Sequence, residues 1–333
     1  MQHEVDDLEW DEFREFNWYA IVEKLIHYLH SKFSSMKPKL SLIVLLILCV
    51  ITTVSAQDFK AKFKEIFPKG NADATLALLK QWRKAVPNDP EFYVYAYNFY
   101  AQEGLKPILS LTNDKKNNNG FEIKDKNNKV AGYLGESKSY NETLINKGFN
   151  YIDTGISKFP NRLDMRFGKV YVLGRIKNYK LFTQEIITAI NYGETINYKW
   201  AWTDGKRLED PQDFMLATVQ QYVSQMFNEG DQYMADIKSI AETVLKYHPD
   251  HVESLSDVAV YYIVNKDYKN ALPLLLKAEK IKPQDDIVLN NIAYSYSLLG
   301  DKSNAIRYYE LVVKYGDAEN KKIATEKIAE LKK

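Results

Sequence analysis

The chain has 333 residues, with 45 basic and 44 acidic side chains, a formal net charge of +1 and a single cysteine. That length is ample for a large hydrophobic core. The near-neutral balance lacks the electrostatic footprint of a nucleic-acid binder, and one cysteine excludes a disulfide framework.

Residues 1–35 are acidic and aromatic, opening with Glu4, Asp6, Asp7, Glu9, Trp10, Asp11 and Glu12. At Met36 the composition changes: Lys37 and Lys39 precede an uncharged apolar run from Leu40 to Val54, and Val54-Ser55-Ala56 follows. A positive n-region, a short apolar core and small residues before the scissile bond form a secretory signal. This pattern predicts a signal peptide over 36–56, cleaved after Ala56, with 1–35 as an upstream extension ahead of the native start. The apolar run is shorter than the roughly 20 residues that span a bilayer, and an uncleaved membrane anchor through 40–54 is the alternative. Cys49, the one cysteine, follows Leu48 rather than a small residue, which argues against lipidation. The expected location is therefore export to a periplasm or cell envelope, with membrane contact only if the segment is retained.

Residues 57–104 read as degenerate helical repeats. Leu76, Leu79 and Trp82 give an apolar period over Asp73–Val86, stopped by Pro87. From Pro90, Tyr93, Ala96, Tyr97 and Tyr100 share one helical face. Residues 105–138 break the period. Thr112–Gly120 is rich in Asn and Lys, a loop signature. Phe121–Lys124 and Val130–Leu134 alternate apolar and polar around a turn-like Asp125–Lys129, predicting an inserted β-hairpin. Asp125, Asn127 and Glu136 lack the spacing of a calcium loop.

Helices resume across 139–249: Tyr140–Lys158, Leu163–Ile176, Tyr179–Asn191, Asp210–Phe227 with Asp210 as N-cap, and Gln232–Tyr247. The last of these units loses small residues where its helices cross, so its packing angle should differ. Between them lies an aromatic loop with Tyr198, Trp200, Trp202, Asp204 and Gly205. Trp200 and Trp202 are read either as a lip that grips a ligand or as a plug that packs the loop onto the helices.

The most regular stretch is 250–317. Leu255, Val258, Ala259, Tyr262, Ala271, Leu275 and Ala278 are followed, each 34 residues on, by Leu289, Ile292, Ala293, Tyr296, Ala305, Tyr309 and Val312. Pro249 and Pro283 keep the same offset, and Gly300 sits at the second turn. Such a hairpin cannot bury its apolar face alone and must stack on neighbours. A 34-residue period with small residues at the helix crossing resembles the tetratricopeptide repeat (TPR), in its exported bacterial form. The resemblance implies an all-α fold, a TPR-like right-handed α–α superhelix, here with the small β-hairpin inserted. Residues 318–333 read as its polar capping helix, with Ile323, Ile328 and Leu331 turned inward.

The resemblance also implies a groove lined by the first helix of each unit and occupied by a protein or peptide partner. It maps the groove onto Ser256, Val260, Asn290, Asn291 and Tyr294, flanked by Glu253, Ile263, Ile287 and Ser297. The lysines that clamp a C-terminal carboxylate in some members are missing. No nucleophile elbow, phosphate loop or zinc-protease helix is present in the sequence. His248 and His251, the histidines after residue 56, fall in one turn without a third ligand and are expected to be exposed. The sequence thus points to a non-catalytic scaffold without cofactor or metal. A carbohydrate- or small-ligand-binding protein, or an uncommon hydrolase, using the Trp200/Trp202 loop is the alternative.

Overall fold

From Ala56 to the end the chain is built almost wholly of helices. The computed structural model describes residues 56–333, apart from 107, 113–120 and 138–139. The upstream extension, the signal segment up to Ser55, Cys49 and most of the Asn-rich loop lie outside the described residues. The helices are α1 (Ala56–Ile66), α2 (Ala72–Ala85), α3 (Pro90–Gly104), α4 (Glu142–Lys158), α5 (Leu163–Arg175), α6 (Tyr179–Thr195), α7 (Pro211–Glu229), α8 (Met234–Tyr247), α9 (Val252–Val264), α10 (Tyr268–Ile281), α11 (Asp286–Leu298), α12 (Lys302–Tyr315) and α13 (Ala318–Leu331). No described helix is long and apolar enough to cross a membrane.

From α9 onward, pairing follows chain order. α9 packs on α10, α11 on α12, and α13 closes the end against α12. Ala271, Leu275 and Ala278 on α10, and Ala305, Tyr309 and Val312 on α12, are all buried. Small residues at the crossing let the two axes approach. The turns are chemically repeated as well. Lys266 and Gly300, 34 apart, both take a left-handed φ (60° and 79°). Asp267 and Asp301 then cap the next helix, each bonded to the side-chain amide of the Asn three residues on at 2.7 Å. In α13 the inward residues are Ala324, Ile328 and Leu331. Ile328 and Leu331 lie inward as expected, whereas Ile323 is exposed and its neighbour Ala324 takes the buried place.

The first pair is α3 with α4, and the β-element is inserted in its turn. The Asn141 amide donates to the Gly104 carbonyl at 2.8 Å, so the insertion leaves and re-enters at one point. Gly148 and Gly155 sit where α4 crosses α3, seven residues apart like Ala271 and Ala278. A Cβ on Gly155 would lie 2.8 Å from the Tyr93 Cβ, and one on Gly148 would lie 3.3 Å from the Tyr100 Cβ. The close crossing needs small residues, and here glycine supplies them.

The insertion is a three-stranded antiparallel sheet, not a two-stranded hairpin: β1 (Ile108–Thr112), β2 (Phe121–Lys124) and β3 (Val130–Ser137), in the order β1-β3-β2. The hairpin pairs Phe121 with Leu134 and Ile123 with Gly132, and the additional β1 pairs Leu111 with Leu134. Ile108–Thr112 has the β-branched and aliphatic residues of a strand but is too short to show its period beside Pro107. Asp125 closes the β2–β3 turn by accepting from the Asn127 and Lys129 amides at 2.8 and 2.9 Å.

Candidate functional site

The first helices of successive pairs, α7, α9 and α11, form the face on which the expected partner residues fall. Their placement differs residue by residue. Tyr294 is 43% exposed and Ile287 still more so, and Asn290 and Val260 are half-buried. Ser256 is only 7% exposed. It does not face a groove, because α9 and α11 pack directly and Asn291 Nδ2 donates to Ser256 Oγ across that seam at 3.4 Å. Ser256 and Asn291 therefore join two first helices.

The same position is used one unit earlier. Asp257 precedes Asn291 by 34 residues, and its Oδ1 accepts from Gln220 Nε2 of α7 at 3.4 Å. α9 and α11 thus each carry a polar residue bonded to the first helix of the preceding pair. A cleft of about 510 Å³ opens between α7 and the start of α9. Asp213, Leu216, Ala217, Gln220, Gln221 and Ser224 of α7 line one wall. His251, Glu253 and Lys282 form the other.

Charge in the cleft is organised. Lys282 Nζ donates to Glu253 Oε1 at 2.6 Å, and this bond, together with Glu253's own backbone amide, holds that carboxyl below its ordinary range against the opposing effect of burial. His251 is half-buried rather than exposed. It caps α9 by accepting from the Ser254 amide at 3.2 Å, and burial lowers its basicity. His248 is also half-buried and bonds through Nε2 to the Tyr198 hydroxyl. Asp257, only 6% exposed, lies behind Gln220, and its Oδ2 has no hydrogen-bond partner. Burial pushes its carboxyl up to about 7, and the nearby Glu253 charge raises it further against the Gln220 hydrogen bond.

The aromatic loop is built as a plug. Trp200 is 2% exposed, and its indole N–H points at Met215 Sδ at 3.2 Å. The loop backbone is pinned to the start of α5: Ala201 N donates to Asn161 O at 2.9 Å and Leu163 N to Ala201 O at 3.1 Å. Trp202 is half-buried and meets the Phe214 ring edge-on at 5.2 Å. Neither ring is arranged as a free platform. Asp210, expected to cap α7, has a left-handed φ of 44° and makes no side-chain cap bond. Pro211 after it fixes the first helical φ instead.

Beside the plug lies a buried ion cluster. Arg162 binds Asp164 through two bonds of 2.8 and 2.7 Å and Glu91 at 2.7 Å. The Asp204 amide donates to Glu91 at 2.9 Å, and Lys60 of α1 pairs with Asp204. The cluster ties α1, α3, α5 and the loop together, with Arg162 shared by Glu91 and Asp164 and Lys60 paired with Asp204, while Glu91 Oε2 makes no hydrogen bond. That makes it a structural clasp.

Among the described residues no group of His, Cys, Asp and Glu is placed to hold a metal ion. The deciding observation for the architecture is the helix pairing: the α9–α12 hairpins at a 34-residue period, small residues at their crossings and at that of α3 with α4, and a polar last helix. The chain is a TPR-like α–α solenoid. No protein-family model matches the sequence, and no curated protein does. Solved structures do match. The C-terminal part of a TPR repeat-containing protein from Cytophaga hutchinsonii shares 15% identity at a TM-score of 0.45, covering 83% of this chain and 87% of that one. MamA from Desulfovibrio magneticus shares 13% at 0.28, covering 78% and 94%. Yeast Tom70 shares 11% at 0.30, covering 78% and 58%.

The site the sequence did not reveal is the α7–α9 cleft. Asp257 carried the available signal, an acid inside the apolar stripe of α9 at the repeat position that Asn291 occupies. Gln220 and Lys282 carried none, because they meet Asp257 and Glu253 only through the stacking of units.

Proposed function

We propose that this solenoid is a non-catalytic protein-interaction scaffold and that the first-helix face is its working surface. The observation that carries the reading is the chemistry of that face. Ile287, Tyr294 and Leu298 on α11 are apolar and exposed, beside a cleft whose walls are mixed apolar and polar. Surface apolar residues grouped with a polar rim mark association sites. The Trp200/Trp202 loop lends no support to a glycan site, since Trp200 is spent on packing.

We propose further that the protein is exported, on the strength of the Met36–Ala56 pattern alone. N-terminal sequencing of material from the envelope fraction tests this, and a chain that retains Met1 overturns it. For the scaffold reading, crosslinking capture from an envelope extract is run with the parent chain and with Asn290→Ala/Tyr294→Ala. Recovery of one discrete partner by the parent, with clear loss in the variant, supports the face as the site. Equal capture by both places the working surface elsewhere.

A further inference from the structure

We propose that the α7–α9 cleft takes a cationic side chain, a guanidinium or an ammonium, from an extended peptide segment of the partner, and that Asp257 is its counter-charge. The inference rests on the scaffold reading and adds the chemistry of what the partner must present.

Three observations converge. The cleft between α7 and the start of α9 has a volume of about 510 Å³, more than one long side chain fills. Behind its wall sits a carboxyl that is nine-tenths buried, with one oxygen lacking any hydrogen-bond partner. The other oxygen is held only by Gln220 Nε2, at a long 3.4 Å, and Gln220 is itself a wall residue. Rotating that neutral amide aside opens the carboxylate to the cleft.

The remaining charges do not satisfy Asp257. Lys282 is committed to Glu253 at 2.6 Å. His251 is committed to capping α9 and has its basicity lowered by burial. Asp213 on α7 and Glu253 on α9 add negative charge. Asn291 of α11 is neutral and bonded to Ser256. On α8, Lys238 pairs with Glu242 at 3.2 Å and lies over the Tyr261 and Tyr262 rings. The one lysine in the cleft wall is thus bound to Glu253, and Asp257 behind the wall has no cation bonded to it. Leaving a buried carboxylate unpaired is costly, and an opposite charge reaching it recovers that cost. A guanidinium suits it, because its planar fork pairs both oxygens of a carboxylate.

Asp257 also confers a pH response. Its carboxyl titrates at about 7 in the free protein, and only the anion attracts a cation. Affinity for a cationic peptide should therefore rise with pH through that range. Between pH 6 and pH 8 the ionised fraction changes about tenfold, and affinity should follow it.

The test uses the full chain and two fluorescein-labelled nonapeptides, Gly-Ser-Gly-Leu-X-Leu-Gly-Ser-Gly, in which X is arginine or its neutral isostere citrulline. Fluorescence anisotropy is read at pH 6, 7 and 8. The expected result is binding of the arginine peptide about tenfold or more tighter than the citrulline peptide at pH 8. Asp257→Asn should abolish that preference and flatten the pH dependence. Gln220→Arg should supply the cation from within and block the site, with an undiminished melting temperature to show that it folds. If both peptides bind equally and Asp257→Asn changes nothing, the cation site is wrong while the scaffold reading stands. If neither peptide binds saturably below about 1 mM, the cation site is overturned, and crosslinking capture decides the scaffold reading separately.

Discussion

Asp257→Asn has a stability signature that follows from burial alone. In the unfolded chain this carboxyl titrates near 3.8, and in the fold at about 7. An acid whose folded value is raised binds its proton more tightly in the native state, so acidification stabilises the fold. The stabilisation is complete below the unfolded value and is lost as pH rises through the folded one. A separation of about three pH units corresponds to roughly 4 kcal/mol at ~1.4 kcal/mol per unit. Of this, about 3 kcal/mol falls between pH 8 and pH 5. The neutral isostere escapes the penalty, so Asp257→Asn should be more stable than the parent at pH 8, and the gap should shrink by roughly 3 kcal/mol at pH 5. Urea denaturation of both proteins at pH 5, 6, 7 and 8 measures it. The comparison cancels other titrating groups, including His251, which is present in both chains. A gap that does not change with pH would refute the burial argument. So would an Asn variant that is less stable at pH 8.

Four further outcomes are expected. Gly155→Ala puts a Cβ 2.8 Å from Tyr93 and 3.0 Å from Met165 Sδ, and thermal melting should show a loss of about 1–3 kcal/mol, with Gly148→Ala milder. Ala271→Leu overpacks a fully buried crossing at a similar cost, ~1–3 kcal/mol, and an unchanged melting temperature would mean the repeat register is wrong. Arg162→Met strands Glu91 and Asp164 as buried, uncompensated acids, and chemical denaturation should show a loss of about 3–5 kcal/mol. Replacing 106–139 by a short Gly/Ser turn should leave helical circular dichroism and cooperative melting intact, because Gly104 and Asn141 already meet at 2.8 Å.

Much of the architecture was legible in the residues, and the parts that were not share a physical cause. The α9–α12 hairpins were readable because Ala271, Ala278, Ala305 and the turn at Gly300 recur at one spacing, and local helical geometry then fixes who faces whom. The α3–α4 pair was hidden because its crossing residues, Gly148 and Gly155, are displaced from Tyr93 and Tyr97 by an inserted sheet. The period survives in space, not along the chain. Ile323 and Ala324 illustrate a finer limit. One residue turns a helix by about 100°, so Ala324, four before Ile328, falls on the buried stripe and Ile323 falls off it. Asp210 misled for a local reason, since a left-handed φ turns its carboxyl away from the helix amides it would cap. The candidate site was the least legible part. Ser256 and Asn291 occupy groove positions by analogy, yet they are drawn into the α9–α11 seam. The cleft beside Asp257 is lined by residues of α7, α9 and the end of α10 that meet only through the packing of units and share no sequence signal.

If the first-helix face engages a partner, site-specific photocrosslinking captures that partner there. A benzophenone side chain is placed at Tyr294, on that face, and at Lys280, an exposed position on the second helix α10. Both proteins are irradiated in the envelope fraction. A discrete crosslinked species is expected from position 294 and none from position 280. The same species from both positions, or from 280 alone, would contradict it.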